Sequence, residues 1–130
     1  MPALLFTPRF HAPIQSGAKT QTIRADRRQV PAIGDPLYLR GWSGSPYRSK
    51  QKVLLDTYCL AVEPIAVYRR SRGLAVEVAG VLIPSQALDA FARADGFDHA
   101  RDMLGHYMRL GKLPFAGILI RWLPAEEVTS

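Results

Sequence analysis

The sequence predicts an α+β fold, a small curled or barrel-like sheet with attached helices. Three observations predict it. β-Prone segments come both before and after a helical insert, the strong helical signals are confined to that insert, and ten Gly and ten Pro supply frequent turns. A chain of 130 residues with 48% hydrophobic residues suits a single core, so we expect one domain, residues 1–130.

The segments before the insert are mostly β-prone. Those that predict strands are residues 3–6, 20–24, 37–42 and 53–67. Pro64 indicates a bend or an edge position in the last of them. Residues 11–16 predict one or two helical turns that end at Gly17, where the left-handed conformation is least costly for glycine.

The later segments give a hairpin, two helices and a final strand. Ala79-Gly80 predicts the hairpin turn, and Ser85 and Asp98 are candidate N-caps of the two helices. The final strand covers residues 115–123, and we expect the acidic tail at residues 124–130 to fray.

The positive charge is concentrated in the first part of the chain. The net charge is +6, yet residues 1–52 hold nine Lys and Arg against two acids, whereas residues 53–130 hold eight against nine. An electropositive face attracts polyanions such as RNA. An ordinary solvated basic surface is the alternative, so charge alone indicates a nucleic-acid partner only weakly.

Several classes of protein are disfavoured. The apolar runs are far shorter than the ~20 residues of a membrane span, and the N-terminus shows no charged-then-apolar signal pattern. Cys59 is the only cysteine, and His11, His99 and His106 lack the short spacing of metal ligands. We therefore expect a cytoplasmic protein with no membrane association, no metal, no cofactor and no obligate protein partner.

Four blocks of the sequence resemble the ASCH domain family, whose members are PUA-like β-barrels. The blocks are Gly17-x-Lys19-x-x-Thr22-x-Arg24, Gly34-Asp35-x-Leu37-Tyr38-Leu39, Ala92-x-Ala94-Asp95-Gly96-Phe97 and Leu113-Pro114-Phe115-x-Gly117-x-Leu119-Ile120-x-Trp122. The resemblance spans almost the whole chain. It implies a small PUA-like mixed β-barrel with attached helices, and RNA or a modified nucleoside as the partner.

Lys19 and Thr22 form a possible catalytic pair. On a straight strand they point to opposite faces, so they meet only if the chain bends between them, which Gly17 makes plausible. A partly desolvated lysine near Arg24 loses its proton more easily and then acts as a base. Thr22 would be the nucleophile or would position a water.

The resemblance also implies a third catalytic residue. In ASCH proteins that hydrolyse acetylcytidine, a Lys, a Thr and a Glu are catalytic, and Lys19 and Thr22 fall on the first two. Asp95 falls on the Glu, a departure because Asp is one methylene shorter. The alternative for Asp95 is an ordinary helix-ending turn before Gly96.

Other residues are candidates for binding substrate. Arg24 shares the face of Thr20 and precedes a basic loop, which suits a phosphate or base contact. Trp42 is a candidate for stacking on a base. The full set of predicted binding residues is Gly17, Thr20, Arg24, Arg27, Arg28, Arg9 and Trp42.

Three functions fit these residues. The first is a metal-free hydrolase of acylated cytidine-type nucleosides that uses Lys19, Thr22 and Asp95. The second is a metal-independent ribonuclease in which Lys19 and Arg24 stabilise charge on the scissile phosphate. The third is a non-catalytic reader of RNA or modified bases, whose affinity would fall steeply with salt.

Overall fold

The computed structural model describes residues 3–25, 30–45, 48–71 and 73–128, which include seven strands in one mixed sheet. The strands are β1 (Ala3–Phe6), β2 (Gln21–Ala25), β3 (Pro36–Trp42), β4 (Gln51–Arg70), β5 (Gly73–Val78), β6 (Val81–Leu82) and β7 (Phe115–Trp122). The helices are α1 (His11–Ser16), α2 (Leu88–Ala94), α3 (Ala100–Arg109) and α4 (Ala125–Val128), with 3₁₀ turns at Pro8–Phe10 and Ser85–Ala87. The predicted α+β class is confirmed.

The long strand β4 organises the sheet. Its first half pairs antiparallel with β3, and its second half lies between β7 and β5. β1 adds in parallel to β3, and β2 adds antiparallel to β7. The register shifts once in the ladder of β4 with β3 and once in its ladder with β7, which bends the strand and curls the sheet. β4 also continues through Pro64, which lies opposite Ile118, so the predicted edge position is wrong.

The sheet does not close into a barrel, contrary to the expectation from the sequence. β1 and β2 end the curled path, and no backbone ladder joins them in the described residues. The Arg24 side chain crosses this gap instead, because its Nη2 donates to the carbonyl oxygen of Leu5 in β1 at 2.9 Å. A side-chain hydrogen bond thus links the two edge strands where no backbone ladder joins them.

Two apolar clusters meet beside this gap. The first packs α1 against β1, β3 and β7, and includes Leu4, Ile14, Leu37, Ile120 and Trp122. The second packs α2 and α3 against β4 and β5, and includes Val67, Val76, Phe91, Met103 and Tyr107. Phe10 packs against both clusters. The candidate site lies at this junction.

The helix ends differ from the predicted caps. Ser85 begins a 3₁₀ turn without a side-chain cap bond, and α3 begins at Ala100 rather than after Asp98. The Ala100 N–H donates instead to Asp89 Oδ1 of the preceding helix at 2.8 Å. A carboxylate from a neighbouring helix therefore replaces the local cap.

The helices are short, and part of the tail at residues 124–130, expected to fray, forms one of them. Within that tail Ala125–Val128 form α4, because the N–H groups of Glu127 and Val128 bond to the Pro124 carbonyl oxygen. Over the described ranges, no helix has the length and apolar character needed to cross a membrane.

We predict that Gly117→Ala lowers the free energy of unfolding. A β-carbon at Gly117 would stand 2.2 Å from the Arg24 carbonyl oxygen, a backbone atom of β2 that has little room to move. We expect a loss of about 1–3 kcal/mol, typical of overpacking, measured by urea denaturation. Gly73→Ala is the matched control, since nothing lies within 4 Å of its β-carbon position. Equal losses in the two variants would contradict the close packing of β2 on β7.

Candidate active site

A cavity of about 250 Å³ opens between the edges of β1 and β2, with α3 and the turn after α2 on its other side. The described residues that line it are Leu5, Phe6, Thr7, Phe10, Lys19, Thr22, Ile23, Arg24, Asp95, Phe97, His106 and Tyr107. The cavity therefore holds all three predicted catalytic residues. A larger depression of about 670 Å³ lies beside Leu113. Its one charged lining residue in the described ranges is Arg69, so it brings together fewer groups that could transfer a proton.

Lys19 reaches the cavity because the chain bends before β2 begins. Gly17 ends α1 in the left-handed conformation at φ 87°, as the sequence predicts, and β2 starts only at Gln21. Lys19 is 2% exposed, and its Nζ donates to the carbonyl oxygens of Gln21 at 2.8 Å and Asp95 at 2.5 Å. Lys19 lies before the strand, so the rule that residues an odd number apart on a straight strand point to opposite faces does not separate it from Thr22.

Asp95 lies at the C-terminal end of α2, directly opposite Lys19. The turn is completed by Gly96 at φ 97°, and Asp95 is 5% exposed. Its Oδ1 is buried without a hydrogen-bond partner and lies 3.7 Å from Lys19 Nζ. The shorter aspartate side chain therefore still reaches the lysine. Asp95 therefore both ends α2 and faces Lys19.

Burial shifts the pKa values of this pair toward each other. Burial lowers the pKa of Lys19 to about 8; Asp95 opposes this shift, while Arg24 and Arg9 reinforce it. Burial raises the pKa of Asp95 to about 6, against the attraction of Lys19 and Arg24. Both groups are charged mainly between these two values. From neutral pH, a rise in pH therefore removes the proton of Lys19, and a fall in pH adds a proton to Asp95.

Thr22 and Arg24 project from the same face of β2. Arg24 Nε donates to Thr22 Oγ1 at 3.2 Å, and the guanidinium lies 4.8 Å from the centre of the Phe6 ring. Thr22 is buried at the cavity wall. The predicted hydroxyl–guanidinium pair is therefore present, and it leaves the hydroxyl proton of Thr22 available to donate.

Aromatic rings that the sequence analysis did not select form much of the cavity wall. Lys19 Nζ lies 4.7 Å from the centre of the Phe10 ring and 5.6 Å from that of Phe6, and the rings of Phe10 and Phe97 meet edge to face at 5.8 Å. Phe97 belongs to the block around Asp95 that resembles the family. That block was the one signal in the sequence that could have found it.

α3 contributes His106 and Tyr107 to the same cavity. The rings of His106 and Phe97 lie 5.2 Å apart. Burial lowers the pKa of His106 with help from Arg9, Arg109 and Lys19, and burial raises the pKa of Tyr107. Helical spacing places Tyr107 in the core, and no local pattern marks these two as cavity residues.

The remaining predicted binding residues do not all meet here. Gly17 lies beside Pro124, and neither it nor Thr20, whose N–H and carbonyl bond to other backbone groups, lines the cavity. Trp42 is buried at the end of β3 and is a core residue. Arg9 is exposed, and its guanidinium packs on the rings of Phe10 and Phe97. Arg27 and Arg28 lie outside the described residues.

Neither a metal site in the described residues nor a known relative assigns a function to the cavity. In the described part of the chain no three His, Cys, Asp or Glu side chains group as metal ligands. Comparison with protein-family models, with curated proteins and with solved structures finds no match for this chain. The residues of the cavity are therefore the basis for assigning a function.

We predict that Lys19 titrates with a midpoint near pH 8, measured from the NMR shift of its Cε carbon. Asp95→Asn removes the negative charge that favours the ammonium form, so the midpoint should move to lower pH. Asp98→Asn makes the same chemical change on an exposed neighbour and should leave the Lys19 midpoint in place. A midpoint that Asp95→Asn leaves unchanged would contradict the close coupling of the pair.

Proposed function

We propose that this chain is an ASCH-type domain with an open PUA-like sheet, which binds a cytidine-type nucleoside and hydrolyses an acyl amide on its base. The observation that carries the proposal is the buried Lys19–Asp95 pair, 3.7 Å apart in the same cavity as Thr22. Buried ionisable groups with shifted pKa values are concentrated at catalytic sites.

The hydrogen bonds of Lys19 suit a general base. A neutral amine has two N–H bonds and one lone pair, and Lys19 Nζ has two carbonyl acceptors, Gln21 O and Asp95 O. The amine therefore keeps both bonds when it loses its third proton. With a pKa of about 8, roughly a tenth of the molecules hold neutral Lys19 at pH 7.

The reaction begins when neutral Lys19 takes a proton from the attacking oxygen. That oxygen belongs to Thr22, or to a water that Thr22 holds, and it forms a bond to the acyl carbon. The carbonyl electron pair moves onto its oxygen, and the positive Arg24 guanidinium in the same cavity stabilises the resulting oxyanion. If water attacks directly, a single attack on the acyl carbon completes the hydrolysis. If Thr22 attacks, it forms an acyl ester, and a water must then attack that ester to release the acid.

Asp95 helps to return the proton. When the tetrahedral intermediate collapses, the bond to the exocyclic nitrogen breaks and that nitrogen takes a proton from the Lys19 ammonium. In an alternative route for the same proton, the Asp95 carboxylate, 3.7 Å from Lys19 Nζ and with a pKa raised to about 6, takes it from the ammonium and passes it to the leaving nitrogen, which restores the carboxylate. Free cytidine and a carboxylic acid are the products, and the amine form of Lys19 is restored.

The size and walls of the cavity support a nucleobase as the group bound. About 250 Å³ is near the lower end of ligand pockets, which suits one ring system rather than a whole nucleotide. Phe6, Phe10 and Phe97 provide aromatic surface beside Lys19. Aromatic side chains are common partners of unpaired bases.

We predict that the protein releases cytidine from N4-acetylcytidine and that the Thr22 hydroxyl is required. Thr22→Val keeps the shape of the side chain without its hydroxyl, and should lower kcat/KM by about 10²–10⁴-fold, because Lys19 then has no positioned oxygen from which to take the proton. Thr22→Ser keeps the hydroxyl and is the matched control, which should retain most of the activity. Chromatography of the nucleosides measures both, and similar rates for the two variants would sink the proposed role of Thr22.

The pH dependence gives a separate test of Lys19. Because the base must be neutral, kcat/KM should rise with pH and level off above a midpoint near 8. Asp95→Asn, whatever it does to the maximum rate, should move that midpoint to lower pH. A profile that is flat from about pH 7 to 9 would show that Lys19 is not the base.

A non-catalytic reader of modified bases is the second candidate. The two hydrogen bonds that Lys19 donates to carbonyl oxygens favour it, because the same bonds would form if Lys19 only joined β2 to the end of α2. A reader binds acetylcytidine or RNA without forming product, and its affinity falls with salt. A ribonuclease, by contrast, would cleave RNA in the presence of a chelator and lose that activity in a Lys19 variant.

A further inference from the structure

Beside the aromatic wall of the cavity lies a cation, Arg9, that takes no part in the steps of the proposed hydrolysis. Arg9 is exposed, and its Cζ lies 4.9 Å from the centre of the Phe97 ring and 5.1 Å from that of Phe10. The His106 ring lies 5.2 Å from the same Phe97 ring. Arg9 and His106 therefore pack on one aromatic ring that lines the cavity.

Arg109 adds a second guanidinium to this group. It follows His106 by about one turn of α3, and its Nη1 would lie 3.2 Å from a β-carbon at Gly105, so the side chain lies back along the helix. Both Arg9 and Arg109 act to lower the pKa of His106, after burial. Arg9 and Arg109 are called the cationic rim below.

The two guanidiniums of the rim are not neutralised. In the described ranges neither Arg9 nor Arg109 forms an ion pair with an acidic side chain. The aromatic packing of Arg9 restricts its orientation while it stays exposed to solvent. An exposed guanidinium fork without a carboxylate partner suits a phosphate, which accepts two parallel hydrogen bonds.

The volume of the cavity decides where such a phosphate would lie. About 250 Å³ accommodates a base, so the sugar and anything attached to it remain at the mouth. We infer that the cationic rim binds a phosphate group of a nucleotide, so that the preferred substrate is an acylated cytidine nucleotide rather than the free nucleoside. The identity of the base rests on the proposed function, whereas the phosphate site rests on the rim.

Calorimetric titration with unacylated compounds, which undergo no turnover, tests the phosphate site. Cytidine 5′-monophosphate should bind about tenfold more tightly than cytidine, the lower end of the range for charge-assisted hydrogen bonds. Arg9→Gln and Arg109→Gln should each remove most of that advantage. Arg101→Gln is the matched control, an exposed arginine on the same helix that borders a separate depression with Asp89 and His99, and should keep that advantage.

Equal affinity for cytidine and its monophosphate would overturn the inference. So would a preference for the monophosphate that neither Arg9→Gln nor Arg109→Gln reduces. A dinucleotide with one internal phosphodiester separates the two sources of phosphate. If it gains affinity through the same arginines, the rim binds an RNA strand, and if only the monophosphate gains, the rim binds free nucleotides; either result supports a phosphate site.

The hydrolase proposal and the phosphate site fail in different ways. If acetylcytidine and its monophosphate are hydrolysed with equal kcat/KM, the phosphate site is wrong and the hydrolase stands. If the monophosphate binds through Arg9 and Arg109 but no acylated compound is hydrolysed, the hydrolase is wrong and the phosphate site stands.

Discussion

Lys19 holds together two parts of the chain that form the cavity. Its Nζ donates to the carbonyl oxygens of Gln21, at the start of β2, and Asp95, at the end of α2 and 76 residues away in sequence. The backbone supports the same junction, because the Thr20 N–H donates to the Ala94 carbonyl at 2.9 Å. Removal of the Lys19 side chain would take this donor away from both carbonyl groups, which costs stability. This junction therefore holds the cavity residues of β2 beside those of the turn after α2.

Burial of the Lys19–Asp95 pair costs desolvation free energy. Both members of the Lys19–Asp95 pair are almost fully buried, and Asp95 Oδ1 has no hydrogen-bond partner. Burying two charges is often no more stabilising than packing two apolar side chains of similar volume. Burial therefore works against the charged form of each group, and the resulting pKa values of about 8 and about 6 lie near neutrality.

The open edge of the sheet and the candidate site are one feature. A ladder between β1 and β2 would fill the gap in which the cavity opens, whereas the Arg24 side chain bridges it through Leu5 O and leaves space beside Thr22. Arg9 and Arg24 both come from the basic first part of the chain. Two of the Lys and Arg residues that make the first part of the chain basic therefore lie beside this opening.

Local sequence patterns determined the α+β class, most strand positions, the helix stop at Gly17 and the possible pairing of Lys19 with Thr22, whereas Asp95 became a candidate only through the resemblance to a family. These depend on alternation, turn chemistry and motif spacing, which act over a few residues. Tertiary structure decided that the sheet stays open, that Trp42 is a core residue and that Phe10 and Tyr107 enter the cavity walls. An aromatic residue on a strand or helix has the same local signal whether it fills a core or lines a pocket. Only the packing of elements distant in sequence determines which of the two it does.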